Sequence, residues 1–227
     1  MNHKIIAIHQ PNFLPWLGFF YKMVKSDVFV FLDNVQFSKN SYQNRVKIKT
    51  PHGAVWLTVP VLHKFGQLTL EVRINNTEKW REKHLRTFEM NYKKAPFFKP
   101  IFDLLQEIYF KKEWELLVDF NTELILCISK YLGIKTEIMR ASLLNAGGKS
   151  TELLVNILKE LNASTYLSGK GGEKYQNEEI FEAIGIKLIY SNFEHPNYPQ
   201  LWEGFIEDLS IVDLLFNCGE KGYEYIR

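Results

Sequence analysis

Residues 4 to 34 read KIIAIHQPNFLPWLGFFYKMVKSDVFVFLDN. Two apolar runs, at residues 4 to 9 and 27 to 32, enclose a stretch with helical character, LGFFYKMVKS. Short apolar runs separated by a helical segment are typical of a strand–helix–strand unit whose two strands lie parallel. The segment therefore predicts the beginning of a parallel sheet with crossover helices.

The same pattern returns in the second half of the chain. Residues 136 to 141, 164 to 167 and 186 to 190 are further short apolar or β-branched runs, and helical patterns separate them. Together with the first two runs, they give five strands that alternate with helices. We therefore predict an α/β fold built on a parallel five-stranded sheet.

Two insertions interrupt this pattern. The segment NRVKIKTPHGAVWLTVPV has two runs of strand character around the turn composition TPHG, which predicts a β-hairpin in the region 44 to 74, with LTLEVRI as a third strand. Helical patterns fill residues 77 to 133, which we interpret as an inserted helical lobe. We expect one α/β domain over residues 1 to 227 that carries both insertions.

Composition excludes several classes of protein. The 28 basic and 26 acidic residues give a net charge of +2 without a long basic block, so no strong nucleic-acid signal is present. The two cysteines lack C-x-x-C spacing, and no His or carboxylate cluster has metal-ligand spacing, so we predict neither a disulfide framework nor a metal site. No apolar run approaches the about 20 residues of a membrane span, and we expect a cytoplasmic protein without membrane insertion.

Polar and aromatic side chains follow the ends of the predicted strands. In a doubly wound sheet the carboxyl ends of neighbouring strands face the same side, so His9 and Asp33 are expected to reach one ligand. A His whose ring is oriented by a nearby carboxylate is suited to general-base catalysis, and we predict these two as catalytic residues. The alternative is that His9 satisfies a backbone carbonyl and Asp33 caps a turn.

The same reasoning gives a set of candidate substrate-binding residues. For the first turn, the alternative to substrate binding is that Pro11 and Pro15 only stiffen a tight connection and that Trp16 covers the core. Likewise, His84 either reaches into the cleft from the helical lobe or is an ordinary surface or core residue. The candidates are Gln10, Asn12, Trp16, Tyr21 and Lys22 from the first turn; Gln36, Asn44 and Arg45 after the second strand; His84; Ser168, Gly169, Lys170 and Tyr175; and His195, Tyr198 and Gln200 after the last strand.

A glycine-rich turn follows the fourth predicted strand. In YLSGKGGEKY, the stretch from Ser168 to Gly172 brings backbone N–H groups and the ammonium of Lys170 together, which suits a phosphate or carboxylate. The alternative is a surface turn with a solvated lysine. Ser210 and Asp213, at the start of the last helical pattern, are expected to have structural roles as a cap and a first-turn carboxylate.

Five segments together resemble the WbqC-like protein family over about residues 4 to 220. They are IHQPNFLPWLGFFYKM, SDVFVFLDNVQFSKNSYQNR, KWREKHLRTFEMNYKKAPFF, YLSGKGGEKY and FEHPNYPQLWEGFIEDLSIVDLLFNCG. The resemblance implies a protein of bacterial O-antigen or other surface-polysaccharide clusters. It further implies transfer of glycine, or a related acyl group, to an amino sugar.

A weaker resemblance concerns the fold. FLPWLGF is similar to the F-x-P and H-x-G-H stretch of nucleotidylyltransferases, and LDNVQF to the V-N-P-x-Q-F stretch of the related pantothenate synthetases. This resemblance implies a Rossmann-like sheet of the HUP type. The sequence departs from the pattern at Trp16 and Phe19, which stand where the histidines would be, and adenylyl transfer relies on those imidazoles to stabilise phosphate charge.

Two hypotheses about function follow. In the first, the protein is a transferase that binds a nucleotide-linked amino sugar and acylates its amine, with His9 as the base; the acyl donor is an amino acid activated by ATP, an aminoacyl-tRNA or an acyl carrier. In the second, it is a sugar-nucleotide-binding or scaffold protein of glycan assembly without catalytic activity. The residues assign no cofactor.

Overall fold

The computed structural model describes residues 3 to 174 and 176 to 227. The strands are β1 (Ile5–His9), β2 (Val28–Phe31), β3 (Arg45–Thr50), β4 (Gly53–Thr58), β5 (Val61–Leu62), β6 (Arg73–Ile74), β7 (Glu137–Arg140), β8 (Thr165–Ser168) and β9 (Lys187–Tyr190). The helices are α1 (Leu17–Val24), α2 (Trp80–Tyr92), α3 (Phe98–Phe110), α4 (Leu117–Tyr131), α5 (Thr151–Glu160), α6 (Glu178–Glu182) and α7 (Ile211–Cys218).

Five of these strands form one sheet in the order β7-β2-β1-β8-β9, and every neighbouring pair is parallel. This arrangement confirms the predicted α/β fold and is Rossmann-like. The chain moves outward from β1 to β2 and β7, then returns to β8 on the other side of β1. The carboxyl ends of β1 and β8 therefore flank the topological switch point, where open α/β sheets form a crevice for ligands.

The alternation of side chains along β1 and β2 divides the core into two layers. Ile6, Ile8 and Val28 point to the face that α5 and α6 cover. Ala7 and Phe29 point to the opposite face, which packs against α1, α7 and the inserted helices. Because both faces of the sheet are covered, the strands β1 and β2 are apolar over almost their whole length, as buried parallel strands usually are.

The insertions lie between β2 and β7, which are neighbours in the sheet. β3 and β4 form the predicted antiparallel hairpin, and Gly53 at its turn has a φ of +103°. The predicted third strand at residues 68 to 74 differs in the structure, because Thr69–Glu71 is a 3₁₀ turn and only the short β6 pairs, with β5. α2, α3 and α4 follow the hairpin.

The inserted helices share the larger core with α7. The ring of Tyr92 in α2 stacks on Phe216 in α7 with centroids 4.6 Å apart, and Phe88 and Phe98 pack on the same ring at 5.8 Å. In the described part of the chain, none of the helices combines the length and the apolar character that crossing a membrane requires.

Candidate functional site

A cavity of about 200 Å³ lies at the switch point of the sheet. It is bounded by the end of β1, the first turns of α1, the glycine-rich turn after β8 and the segment after β9. Its lining residues are His9, Trp16, Gly18, Phe19, Lys22, Gly169, Lys170, Gly171, Ser191 and Phe193. The structure therefore brings together five of the candidate site residues, from two distant parts of the sequence.

The loop between β1 and α1 is held in place by distant parts of the chain. The side-chain amide of Asn121, in α4, donates to the carbonyl oxygens of Pro11 and Gln43 at 2.9 and 2.8 Å. Ser210 donates to the carbonyl of Leu14, which has a φ of +40°. These contacts fix a loop whose backbone is partly strained, so the residues at both of its ends enter the cavity in defined positions.

His9 is a neutral imidazole with a defined tautomer. Its Nδ1 lies 2.9 Å from the carbonyl oxygen of Gln10, which can only accept, so Nδ1 carries the proton. Burial, followed by the charge of Lys22, lowers the pKa of His9 to about 3, although the hydrogen bond to Gln10 acts in the opposite direction. The imidazole therefore keeps a lone pair on Nε2 throughout the physiological pH range.

Lys22 is a buried amine in the same cavity. Its side chain leaves the buried face of α1, and the residue is only 3% exposed. Nζ donates to the carbonyl oxygen of Ile8 at 3.0 Å and lies 5.8 Å from the ring centre of Phe29. Burial lowers the pKa of Lys22 to about 7. Among the described residues, none supplies it with a carboxylate within ion-pair distance.

Aromatic rings form one wall of the cavity. The indole of Trp16 lies directly over Gly18, where an added Cβ would come within 2.4 Å of the ring, so this position requires glycine. Phe193 meets Trp16 edge-on with centroids 5.5 Å apart. Tyr21 does not line the cavity; its hydroxyl donates to Asn192 at 2.7 Å and thereby fixes the segment after β9.

The glycine-rich turn forms another part of the cavity wall. Gly169, Lys170 and Gly171 line the cavity at the start of a 3₁₀ turn, Lys170–Lys174. Gly172 packs on Ser168, since a Cβ there would lie 2.4 Å from the Ser168 hydroxyl oxygen. Ser168 is thus a buried support for the turn. Tyr175, also predicted to bind substrate, lies outside the described residues.

Asp33 differs from the expectation that it orients His9. Its carboxylate is fully buried and accepts hydrogen bonds from Arg140 Nε at 2.6 Å and from the backbone N–H and hydroxyl of Ser142 at 2.9 and 2.7 Å. These partners, at and just beyond the end of β7, occupy both oxygens. Asp33 therefore joins β2 to β7, while His9 is oriented by the Gln10 carbonyl.

Replacing Asp33 with alanine is expected to lower the free energy of unfolding by about 2–3 kcal/mol, because Arg140 and the Ser142 amide lose a buried acceptor. The matched control is Asp119→Ala, which removes the second carboxylate on Arg140; that side chain is 39% exposed, so its loss is expected to cost less than about 1 kcal/mol. Urea unfolding measures both changes. Equal losses would show that the buried pair with Asp33 does not hold the two strands together.

The candidates after β2 lie in the inserted region, away from the cavity. Asn44 is buried and donates to the carbonyl of Val59 at 3.1 Å. Arg45 stacks over the exposed ring of Trp56 at 4.2 Å. The backbone of Gln36 forms an isolated bridge with Leu68. Asn12, from the first loop, is buried outside the cavity lining.

His84 connects the helical insertion to the hairpin. Its Nε2 lies 2.9 Å from the carbonyl oxygen of Thr58, and its Nδ1 lies 3.2 Å from the hydroxyl of Tyr109. Burial lowers the pKa of His84 to about 4. The residue borders a separate groove of about 610 Å³ between β4 and α2, so it does not belong to the cavity at the switch point.

Among the candidates after β9, Tyr198 contacts a buried carboxylate. Asp213 accepts hydrogen bonds from the hydroxyls of Tyr92 at 2.7 Å and Tyr198 at 2.9 Å, and its burial raises its pKa. His195 Nδ1 lies 3.1 Å from the carbonyl of Pro196. Gln200 bonds both backbone groups of Ile206. Tyr198 and Gln200 therefore hold this long segment against the core. The expected cap is confirmed, since Ser210 accepts from the N–H of Val212.

Five lining residues were not among the candidates: Gly18, Phe19, Gly171, Ser191 and Phe193. Ser191 and Phe193 follow β9 directly, and Gly171 stands within the glycine-rich turn, so the rule that sites form at strand ends would have found them. Gly18 and Phe19 belong to an apolar helical pattern, and the signal that could have found them is the similarity of WLGF to the H-x-G-H stretch of nucleotidylyltransferases. Cys127 and Cys218 are free thiols, and the described residues contain no group of three His, Cys, Asp or Glu side chains placed to hold a metal ion.

Comparison with known proteins agrees with the sequence resemblance. The model of the WbqC-like protein family matches residues 10 to 225. A protein of Mycobacterium tuberculosis described as "Uncharacterized protein Rv1507c" is 36% identical over 227 residues, covering 99% of this chain and 98% of that protein. No solved structure matches the chain. Because the family match covers nearly the whole chain, this protein belongs to the WbqC-like protein family.

Proposed function

We propose that this chain is a transferase of bacterial surface-polysaccharide biosynthesis that binds a nucleotide-linked amino sugar and acylates its amine. Membership of the WbqC-like family suggests a protein of a polysaccharide cluster, which is the coarser part of this proposal. The finer part rests on one observation. A single cavity at the switch point combines two lysines, a glycine-rich turn, a neutral imidazole and aromatic rings.

Each side of the cavity suits a different part of such a ligand. Lys22, Lys170 and the turn at Gly169 provide positive charge and an accessible backbone for a phosphate. Trp16 and Phe193 provide flat apolar surface for a sugar ring or base. A volume of about 200 Å³ is smaller than the pockets that enclose a whole ligand, so the cavity holds one part of the sugar nucleotide and the rest extends over the surface.

The neutral imidazole of His9 suits the reacting amine. In acyl transfer the amine nitrogen attacks the carbonyl carbon of an activated ester, thioester or acyl phosphate, and the leaving group departs with the bonding electron pair. The attacking nitrogen becomes positively charged and acidic, and it must lose a proton to give the amide. The free lone pair of Nε2 accepts this proton, even though its low pKa makes His9 a weak base towards the free amine.

The same low pKa favours a second candidate function. An imidazole with a pKa of about 3 accepts hydrogen bonds well but holds a proton poorly at neutral pH. A protein that only binds the sugar nucleotide, as a carrier or scaffold in glycan assembly, would use His9 as an acceptor for the amine. The two functions therefore share a ligand and differ in whether a product forms.

A thermal-shift screen of nucleotides and nucleotide-linked amino sugars tests the shared ligand. Binding at about one hundred times Kd is expected to raise the melting temperature by about 5–10 °C. Lys170→Ala is expected to reduce this shift for ligands with phosphate. Lys187→Ala is the matched control, because that lysine is also exposed but lies at the amino end of β9, whereas the cavity lies at the carboxyl ends of the strands. Equal shifts in both variants would remove the glycine-rich turn from the proposed site.

Mass spectrometry then separates the two functions. The transferase is expected to add the mass of the acyl group when the bound sugar nucleotide is incubated with an aminoacyl-tRNA, an acyl carrier or an amino acid plus ATP. Binding without product with all three donor classes would overturn the transferase and support the binding protein. A screen in which no sugar nucleotide binds would overturn both.

A further inference from the structure

We propose that Lys22 is the counter-charge for an anionic group of the ligand, and that this lysine takes up a proton when the group enters the cavity. The inference deepens the proposed function, on which it rests, by assigning the negatively charged part of the ligand to a particular side chain. Lys22 was predicted to bind substrate, but no pattern of residues around it indicates that its charge changes on binding.

Lys22 is buried and lines the cavity. Its amine is shielded from bulk water. Among the described residues, Nζ donates a hydrogen bond to the carbonyl oxygen of Ile8. A buried ammonium without an anionic partner is costly, because one carbonyl dipole does not replace the hydration of a full charge. These surroundings therefore favour the neutral amine, and a bound anion would favour the charged one.

None of the charged or titratable groups described around Lys22 carries a negative charge that would compensate its ammonium. His9, on β1, is neutral, and the positive charge of Lys170 faces the cavity from the turn after β8. Phe29 of β2 and Phe193 after β9 contribute apolar rings. On α1 itself, Lys25 lies over the ring of Tyr21.

No acidic side chain lines the cavity among the residues that the structure describes. A cavity with two lysines and no carboxylate lacks the negative charge that would balance it. A bound oxyanion would balance the charge of these lysines. It would be either the diphosphate of a sugar nucleotide or a free anion of similar charge. In both cases the ligand brings the charge that the protein does not supply.

The proposal has a measurable consequence for binding. Because burial lowers the pKa of Lys22 to about 7, the amine is mostly neutral at about pH 8 and mostly charged at about pH 6. Binding of an anion should take up close to one proton at the higher pH and only about a tenth of a proton at the lower. The affinity is expected to be constant below about pH 7 and to fall about tenfold for each pH unit above it.

The test is an NMR titration of the whole chain labelled with ¹³C-lysine, which follows the Cε signal of Lys22 against pH. The signal is assigned by its loss in Lys22→Met. Two probes are added separately, saturating inorganic sulfate and UDP-N-acetylglucosamine, because neither has a phosphate or sulfate group that titrates near neutral pH. Calorimetry in buffers of different ionisation enthalpy gives the number of protons taken up with each probe.

Support for the proposal is a midpoint near pH 7 in the empty protein that moves upward with either probe, together with proton uptake that Lys22→Met abolishes. Lys25→Met is the control from the same helix and should leave both results unchanged. Proton uptake that persists in Lys22→Met, or a midpoint that neither probe moves, would overturn the proposal. A response to sulfate but not to UDP-N-acetylglucosamine would support the role of Lys22. It would count only against the sugar nucleotide as the ligand.

Discussion

Lys22→Met is expected to raise the free energy of unfolding by about 4 kcal/mol at pH 7. Lys22 has its ordinary pKa in the unfolded chain, whereas burial lowers its pKa to about 7 in the folded chain. Folding at neutral pH must therefore either remove a proton from the amine or bury its charge, and methionine, which is similar in shape, needs neither. Urea unfolding of both proteins measures the difference.

The sign of the pH dependence is part of this prediction. Between about pH 7 and 10.5 the unfolded chain binds a proton at Lys22 that the folded chain does not, so the wild-type protein gains stability as the pH rises through this range. The advantage of Lys22→Met should therefore shrink to about 1 kcal/mol at pH 10. Lys25→Met is the matched control and should change little at either pH. A Lys22→Met variant that is less stable than the wild type at pH 7 would show that the amine is not under strain.

If the proposed function is correct, His9→Ala is expected to lower the rate of acyl transfer by about 10²–10⁴-fold, because the variant loses the proposed acceptor of the amine proton. The lone pair on Nε2 exists because the carbonyl of Gln10 holds the proton of the ring on Nδ1. Substrate binding should weaken far less, since Lys22 and Lys170 remain. Steady-state kinetics, with kcat and KM determined separately, is the measurement.

A second variant separates proton transfer from hydrogen bonding. His9→Gln places an amide oxygen near the position of Nε2, so it keeps an acceptor but cannot take a proton. If His9 is the base, the glutamine variant should be as slow as the alanine variant. A glutamine variant with a rate within about tenfold of the wild type would show that His9 only orients the amine. Melting temperatures of both variants serve as the control for folding.

The loss of stability caused by burying a lysine connects the experiments on Lys22 and His9. An amine that reduces stability where an apolar side chain would not is typical of a site whose purpose is binding or catalysis. Lys22 and His9 both line the cavity, and neither has a carboxylate partner among the described residues. We therefore expect the ligand to bring the negative charge of the proposed site.

Much of the fold followed from the sequence because its signals are local. The apolar runs at residues 4 to 9 and 27 to 32 contain β1 and β2, and the composition TPHG marks the turn between β3 and β4. Burial on both faces makes a parallel strand apolar at consecutive positions, which can be seen in a single segment. The prediction of a third strand at residues 68 to 74 was wrong over most of its length, since only β6 pairs there and the residues before it form a turn.

Part of the lining of the candidate site could be predicted from the sequence, and there is a physical reason why the rest could not. The sequence alone determined that His9 and Lys170 lie near the carboxyl ends of parallel strands, since the topology of such a sheet places these ends on one side. Tertiary structure decided what each residue does there. Asp33 pairs with Arg140, which is 107 positions away, and the cavity encloses Lys22 only when α1 packs on the sheet. Charge, protonation and partner depend on distances across the folded chain, and no local pattern of residues contains those distances.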